Sequence, residues 1–182
     1  MKIILKSLVY FLFFLMMLIA FLPKENIYYF ALEQLNNKKI ELNQNKIDDG
    51  YFKFIVDELQ IKYDGLKVSD ISNVEFDMFI YQTKIDISNI KVDNSFSKFV
   101  PNKIDTLTLS HTIINPLSID INSKFNLGFC TGTIDLLNRV VKLDIVVAKA
   151  FKTKYRYIVK ELKKSKERSN TKEEVYTYEY KF

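Results

Sequence analysis

Between residues 38 and 148 the apolar residues of this chain recur at every second position, a period that admits little besides β-structure. The plainest sign is a repeated hydrophobic-Asp-hydrophobic triplet: Phe76-Asp77-Met78, Ile85-Asp86-Ile87, Ile119-Asp120-Ile121, Ile134-Asp135-Leu136 and Leu143-Asp144-Ile145. Successive strand side chains point to opposite faces, so each triplet sends two apolar groups one way and a carboxylate the other. Carboxylates spread evenly over a wet face serve solubility and edge protection better than acid–base or calcium chemistry.

Strands are expected near 38–45, 51–63, 66–70, 73–81, 84–92, 103–114, 117–130, 132–137 and 140–148. With only four Gly and three Pro in the chain, the turns between them must rely on Asn, Asp and Ser, as at Asp48-Asp49-Gly50 and Ser72-Asn73. Asp64-Gly65, set between two alternating runs, is the clearest hairpin signal. Residues 95–102 (SFSKFVPN) form an irregular excursion, because Pro101 cannot donate to a ladder. It either crosses one open end of the sheet or packs as a loop. No helical pattern of 10–15 residues separates the strands, which leaves a mainly β fold, an elongated, curved antiparallel sheet.

Ahead of the sheet lies SLVYFLFFLMMLIAFL, residues 7–22, preceded by Lys2 and Lys6. Counted from Ile3 and helical, it covers close to the ~30 Å of a hydrocarbon core, with Lys6 snorkelling to the headgroups. A helix is also the structure that pairs every backbone group internally in lipid. The expectation is an uncleaved anchor over residues 1–23, with Ser7, Phe11, Phe14, Leu18 and Leu22 in the span. A cleaved signal peptide and a buried core helix are the alternatives, although Ala20 with Leu18 makes a poor small-residue cleavage site. The basic N-terminal tail predicts a cytoplasmic N-terminus and a translocated body: a single-pass protein of the bacterial inner membrane, with its bulk in the periplasm. Residues 24–37 carry a helical stripe (Ile27, Phe30, Ala31, Leu32, Leu35) behind Pro23. This linker helix either prolongs the anchor, lies at the interface with Tyr28 and Tyr29 at headgroup level, or packs on the domain. Residues 38–182 then form one β-rich extracytoplasmic domain.

Near the C-terminus, Phe151, Tyr155, Ile158 and Leu162 line one face of a helix over 149–168. That segment has nine basic residues against two acidic ones, more than the +5 of the whole chain. Lys152, Arg156, Lys160, Lys163 and Lys164 are its candidate contacts to lipid headgroups or a partner. A helix docked on the sheet with a solvated basic face accounts for the same pattern, and a period-two reading survives through Phe151. A translocated body meets no nucleic acid. Ser169-Asn170-Thr171 breaks the segment, and residues 174–182 (EVYTYEYKF) alternate as a last strand.

Cys130 and His111 are the only residues of their types. One cysteine allows no internal disulfide; it is either a buried inert thiol or an intermolecular link. One histidine makes neither a dyad nor a metal site. No nucleophile, phosphate-loop or metal motif is present, so the expectation is no catalytic residue, no metal and no cofactor.

The order anchor, short helix, long β body, C-terminal helix and last strand, with the meander from Gly132 through Asp135 and Leu136 to Leu143 and the Tyr-rich end from Tyr176 to Phe182, resembles the type II secretion system protein N family. More distantly it is similar to the AsmA-like envelope bridge proteins. The resemblance implies a bitopic inner-membrane accessory protein with a periplasmic β-groove; Gly132, Asp135 and Leu136 carry the match and none would be catalytic. Two non-enzymatic roles follow as expectations. One is an accessory or assembly component of a secretion or envelope machine, partnered by the bilayer and by other envelope proteins. The other is a lipid-binding or lipid-transfer module that holds a lipid ligand against the apolar face of the sheet.

Overall fold

A computed structural model describes residues 2–96, 100–164 and 174–182. Helix α1 (Lys2–Ala20) is long and apolar enough to cross a membrane, and none of its residues is buried. Helix α2 (Lys24–Asn36) follows Pro23. The strands come next: β1 (Ile40–Asn43), β2 (Lys46–Asp49), β3 (Lys53–Tyr63), β4 (Leu66–Met78), β5 (Gln82–Val92), β6 (Lys103–Thr112), β7 (Asn115–Phe125), β8 (Gly128–Asp135) and β9 (Val140–Val147). A single 3₁₀ turn, Asn94–Phe96, lies between β5 and β6. Helices α3 (Lys149–Lys154) and α4 (Arg156–Glu161) and strands β10 (Lys163–Lys164) and β11 (Glu174–Lys181) complete the chain. The strands form one open antiparallel sheet in the order β1-β3-β4-β5-β6-β7-β8-β9-β11-β10, with β2 also on β3.

The sheet is a meander, so alternate turns gather at opposite ends of the strands. The Asp64-Gly65 hairpin forms as its sequence demands, both residues taking positive φ (51° and 78°). It marks the far end. The near end carries the turns at 50–52, 79–81, 113–114 and 136–139, and it is where α1 meets the sheet. There Phe21 packs edge-on against Tyr51, ring centroids 6.4 Å apart. Lys24, 3% exposed, ties the same junction together by donating to the Leu22 carbonyl at 3.4 Å and pairing with Asp49 at 3.5 Å.

Alternation holds along the strands with one shared interruption. Pairing passes from Val56↔Val74 and Asp57↔Asn73 to Leu59↔Ile71 between β3 and β4, and from Val74↔Ile87 and Asn73↔Ser88 to Ile71↔Ile90 between β4 and β5, with one unpaired residue on each strand and the register kept. The same step recurs between β5 and β6, from Leu107↔Ile87 and Thr106↔Ser88 to Ile104↔Ile90. Each of the four strands carries an extra residue at one level, so apolar residues three apart (Val56/Leu59, Ile71/Val74, Ile87/Ile90, Ile104/Leu107) share a face. The doublet between them is polar in every case: Asp57-Glu58, Ser72-Asn73, Ser88-Asn89 and Asp105-Thr106. Glu58 and Asn89 absorb the change with positive φ, 52° and 54°. The offset ends against β7, where Ile104 and Thr106 face the adjacent residues Phe125 and Lys124, a β-bulge.

This interruption corrects two expected strands. Ser72-Asn73 is not a turn, and 66–70 and 73–81 are one strand, because a phase change and a turn share the same polar signature. Expected strand 38–45 is the shorter β1, and β2 follows it where no strand was expected, taking in Asp48 and Asp49 of the expected turn. Strands 117–130 and 132–137 divide instead at 126–127. Gly132 is no separator: it sits inside β8, where a Cβ would run into the Lys142 carbonyl and Leu143 of β9. Part of the 95–102 excursion, residues 97–99, lies outside the described residues.

Phe54 and Val56 are nearly or wholly buried in the cluster that also holds Leu59, Ile71, Val74 and Ile90. Phe54→Ala is expected to lower stability by about 3–5 kcal/mol. Ile114→Ala, in a turn, is expected to change it by no more than about 0.5 kcal/mol. Urea unfolding in detergent micelles checks both, and equal losses would contradict this core assignment.

Candidate functional site

The two faces of the sheet have opposite chemistry. On the wet face, row after row is polar, as in Lys53↔Asp77↔Lys84↔Ser110↔Asp120↔Thr133↔Lys142↔Glu179. Lys53 pairs with Glu75, Lys84 with Asp86 at 2.6 Å, and Asn73 donates to Asp57 at 2.8 Å. The triplet aspartates all sit here.

The other face is apolar across eight strands: Phe54↔Phe76↔Ile85↔Leu109↔Ile121↔Gly132↔Leu143↔Tyr178 is one row, and Val56↔Val74↔Ile87↔Leu107↔Ser123↔Cys130↔Ile145↔Tyr176 the next. Helices cover it at two diagonal corners. At the near end of β3, Tyr28 of α2 lies 5.4 Å from the Phe54 ring. Burial, and then the neighbouring Tyr29, raise the Tyr28 hydroxyl above its ordinary pKa. The linker helix therefore packs on the domain, with Tyr28 in the core. At the far end of β7–β9, Phe151 and Tyr155 sit one helical turn apart and bury against Phe125, Val147 and Tyr176. The Tyr155 hydroxyl donates to Asn102 Oδ1 at 2.8 Å, and Lys154 Nζ donates to the same oxygen at 3.1 Å.

Between these corners the face is only half covered. Leu109, Ile119, Ile121, Ile134 and Leu143 keep intermediate exposure and stand outside both packed clusters among the described residues. Tyr178 and Tyr180 are exposed. The accessible surface, 13044 Å², well exceeds the roughly 9,200 Å² of a compact monomer of 21.5 kDa.

The residues singled out from sequence do not converge on one place. Ser7, Phe11, Phe14 and Leu18 are exposed on α1, whereas Leu22 lies past its last turn. The basic segment is not one helix over 149–168. Tyr155 (φ −117°, ψ 48°) breaks it into α3 and α4, and Leu162 is extended. Tyr155 leaves the helical region where its ring is wholly buried and its hydroxyl reaches Asn102, so packing decides the break. Lys152 on α3 lies 5.8 Å from the Tyr176 ring. Arg156 and Lys160 are exposed on α4, while Lys163 and Lys164 belong to a strand opposite Thr177 and Tyr176. Residues 165–168 of the expected helix, and the 169–171 break, lie outside the described residues. Asp135 accepts hydrogen bonds from the Asn138 backbone N–H (2.8 Å) and side chain (2.7 Å) and so shapes the β8–β9 turn, where Leu136 is exposed.

Sequence reading missed the near-end turns. Phe79, Tyr81, Ile113, Ile114, Leu136 and Leu137 are all exposed there, Ile114 at 93% and Leu137 at 70%. The signal was present: these turns are apolar where turns ordinarily call for Asn, Gly or Asp.

Among the described residues no group of three or more His, Cys, Asp or Glu is placed to hold a metal ion. His111 Nε2 lies 3.0 Å from the Pro116 carbonyl of its own hairpin. Burial, and then Asp144, push the Cys130 thiol up to about 11. Comparison with protein-family models, curated proteins and solved structures finds no match to this chain.

A thiol held so far above its ordinary value is largely un-ionised at pH 8. Iodoacetamide should therefore label Cys130 slowly in the folded protein and rapidly in urea, read by intact mass; equal rates would contradict its placement. The wet face predicts the acid response. A hydrogen bond from Lys67 lowers Asp70. Burial works to raise Asp86, but Lys84 and Thr108 hold it below the ordinary value. Groups that bind protons more weakly when folded stabilise the protein above their unfolded pKa of about 4 and lose that contribution as pH falls through the folded value. Tm in detergent should stay level from neutral to mildly acidic pH and fall below about pH 4; a rise on acidification would contradict these pairings.

Proposed function

We propose that this chain is a non-enzymatic, single-pass membrane protein whose sheet holds a lipid acyl chain against its apolar face. The observation that carries the reading is the half-covered stretch around Leu109, Ile121 and Leu143, in a sheet that has no second layer among its described residues. A single-layer sheet with one apolar face leaves that face in water unless something apolar lies on it, and each CH₂ of a chain laid there gains about 0.8 kcal/mol. α1 is the anchor in this reading, and the charge of its flanks puts the sheet on the periplasmic side of a bacterial inner membrane.

A second reading, an accessory component of a secretion or envelope machine, has its own support. The outer edge of β11 is paired by β10 only at Thr177 and Tyr176. From Tyr178 to Lys181 that edge has no partner strand among the described residues, and a partner protein could add one.

Native mass spectrometry of the full chain released from detergent should show co-purified phospholipid. Leu109→Asp with Ile121→Asp should remove it while the β circular-dichroism signal persists. A protein free of lipid before mutation would overturn the first reading. Crosslinking to other envelope proteins through a photoreactive residue at Glu179 would favour the second.

A further inference from the structure

We infer that the near end of the sheet is a membrane-contacting edge, its turns seated in the interface of the bilayer that α1 crosses. The inference rests on reading α1 as a membrane span, and not on lipid binding by the apolar face.

Two sets of turns in one sheet differ in composition according to the end they occupy. Far-end turns have polar tips, Asp64-Gly65, Asp93-Asn94-Ser95 and Asn126, although Phe96, Val100 and Leu127 follow in the same connections and Tyr63 and Leu66 flank the hairpin. Near-end turns carry Tyr51-Phe52, Phe79-Ile80-Tyr81, Ile113-Ile114 and Leu136-Leu137, and the chain ends there on Phe182. Large apolar groups at hairpin tips gain nothing from the sheet, because their own strands hold them away from its core. Water penalises them, and an interface does not.

The position of α1 supplies the occupant. A cleft lies between Met16, Met17, Ala20 and Phe21 of α1 on one side and Tyr51 and Phe52 of the β2–β3 turn on the other. That turn therefore reaches the level of the last two turns of the anchor. From it an aromatic chain continues along the edge: Phe52 stacks on Phe79 at 5.9 Å, and Phe79 on Tyr81 at 6.1 Å. The pairing of buried Lys24 with Asp49 ties the anchor's exit to this end. The far end stands away by the length of β4, thirteen residues, or about 40 Å. Arg139 and Lys181, beside the last turns, are placed for headgroup phosphates.

The chain contains no Trp, so single-Trp variants report position without background. Full-length Ile114→Trp, Leu137→Trp, Leu66→Trp (a far-end site, 66% exposed) and Leu12→Trp (within α1) are reconstituted into vesicles of phosphatidylcholine and phosphatidylglycerol, with or without brominated acyl chains. Ile114→Trp and Leu137→Trp should emit blue-shifted light and lose most of their intensity to brominated lipid, as Leu12→Trp does, while Leu66→Trp is unaffected. If both turn variants behave like Leu66→Trp while Leu12→Trp is quenched, the edge stands in water and the inference fails although the anchor survives. Quenching of Leu66→Trp together with the turns would mean a sheet lying flat, and overturns the end-on contact. An unquenched Leu12→Trp removes the anchor and the inference with it.

Discussion

A sheet one layer thick must satisfy two faces at once, and this chain divides them by chemistry. The wet face is self-sufficient: lysines, carboxylates, amides and hydroxyls stand opposite one another across nearly every strand, and pairs such as Lys53–Glu75 and Asn73–Asp57 bridge neighbours. The apolar face is not. Its helices cover diagonal corners, α2 over Phe54 and α3–α4 over Phe125 and Val147, and Ile104 is the side chain common to the two packed clusters. The half-exposed middle of the sheet follows from that incomplete cover, and the wholly exposed α1 adds to the excess surface.

The aligned interruption in β3–β6 shows how the chain keeps one face apolar over long strands. Were β3 strictly alternating, Leu59 would fall on the wet face beside Asp57. The extra residue restores it to the side of Val56, and because Ser72, Asn89 and Asp105 make the same step at the same level, neighbours stay in register. β7 does not take the step, and the bulge at Ile104/Thr106 absorbs the mismatch. Polar doublets are the residues suited to this place, since their side chains leave the apolar side and Asn tolerates positive φ.

Much of this was legible in the residues. Period-two alternation gave the sheet and its antiparallel order, Asp64-Gly65 gave the hairpin, and the greasy run gave α1. What failed did so where one local pattern serves two structures. Ser72-Asn73 looks the same whether a strand turns or shifts phase, and neighbouring strands decide between them. Phe151, Tyr155, Ile158 and Leu162 have helical spacing, but spacing cannot reveal that Asn102, more than fifty residues distant, draws Tyr155 out of the helix. Gly132 reads as a turn residue until the approach of β9 is known. The apolar turns were visible as letters, yet their meaning depends on all of them meeting at one end, which is a property of the meander and not of any turn.

That gathering bears on how anchor and sheet could work together. α2 runs from the junction at Lys24 to β1, whose first residue pairs with Tyr63 beside the far-end hairpin. Its thirteen residues span about 20 Å along the strands, so the chain leaves α1 at the near end and enters the sheet toward the far end. With Lys24 buried at one end of this strut and Lys39 accepting from the Asp64 backbone at the other, the strand direction is tied to the exit of the anchor. In the proposed end-on seating, such a tie would make the apolar face an extension of the hydrocarbon, bordered by the aromatic residues from Phe21 to Tyr81. Under the proposed lipid reading, an acyl chain passing from bilayer to sheet would stay in contact with apolar side chains and avoid the cost of crossing water that a detached sheet would impose.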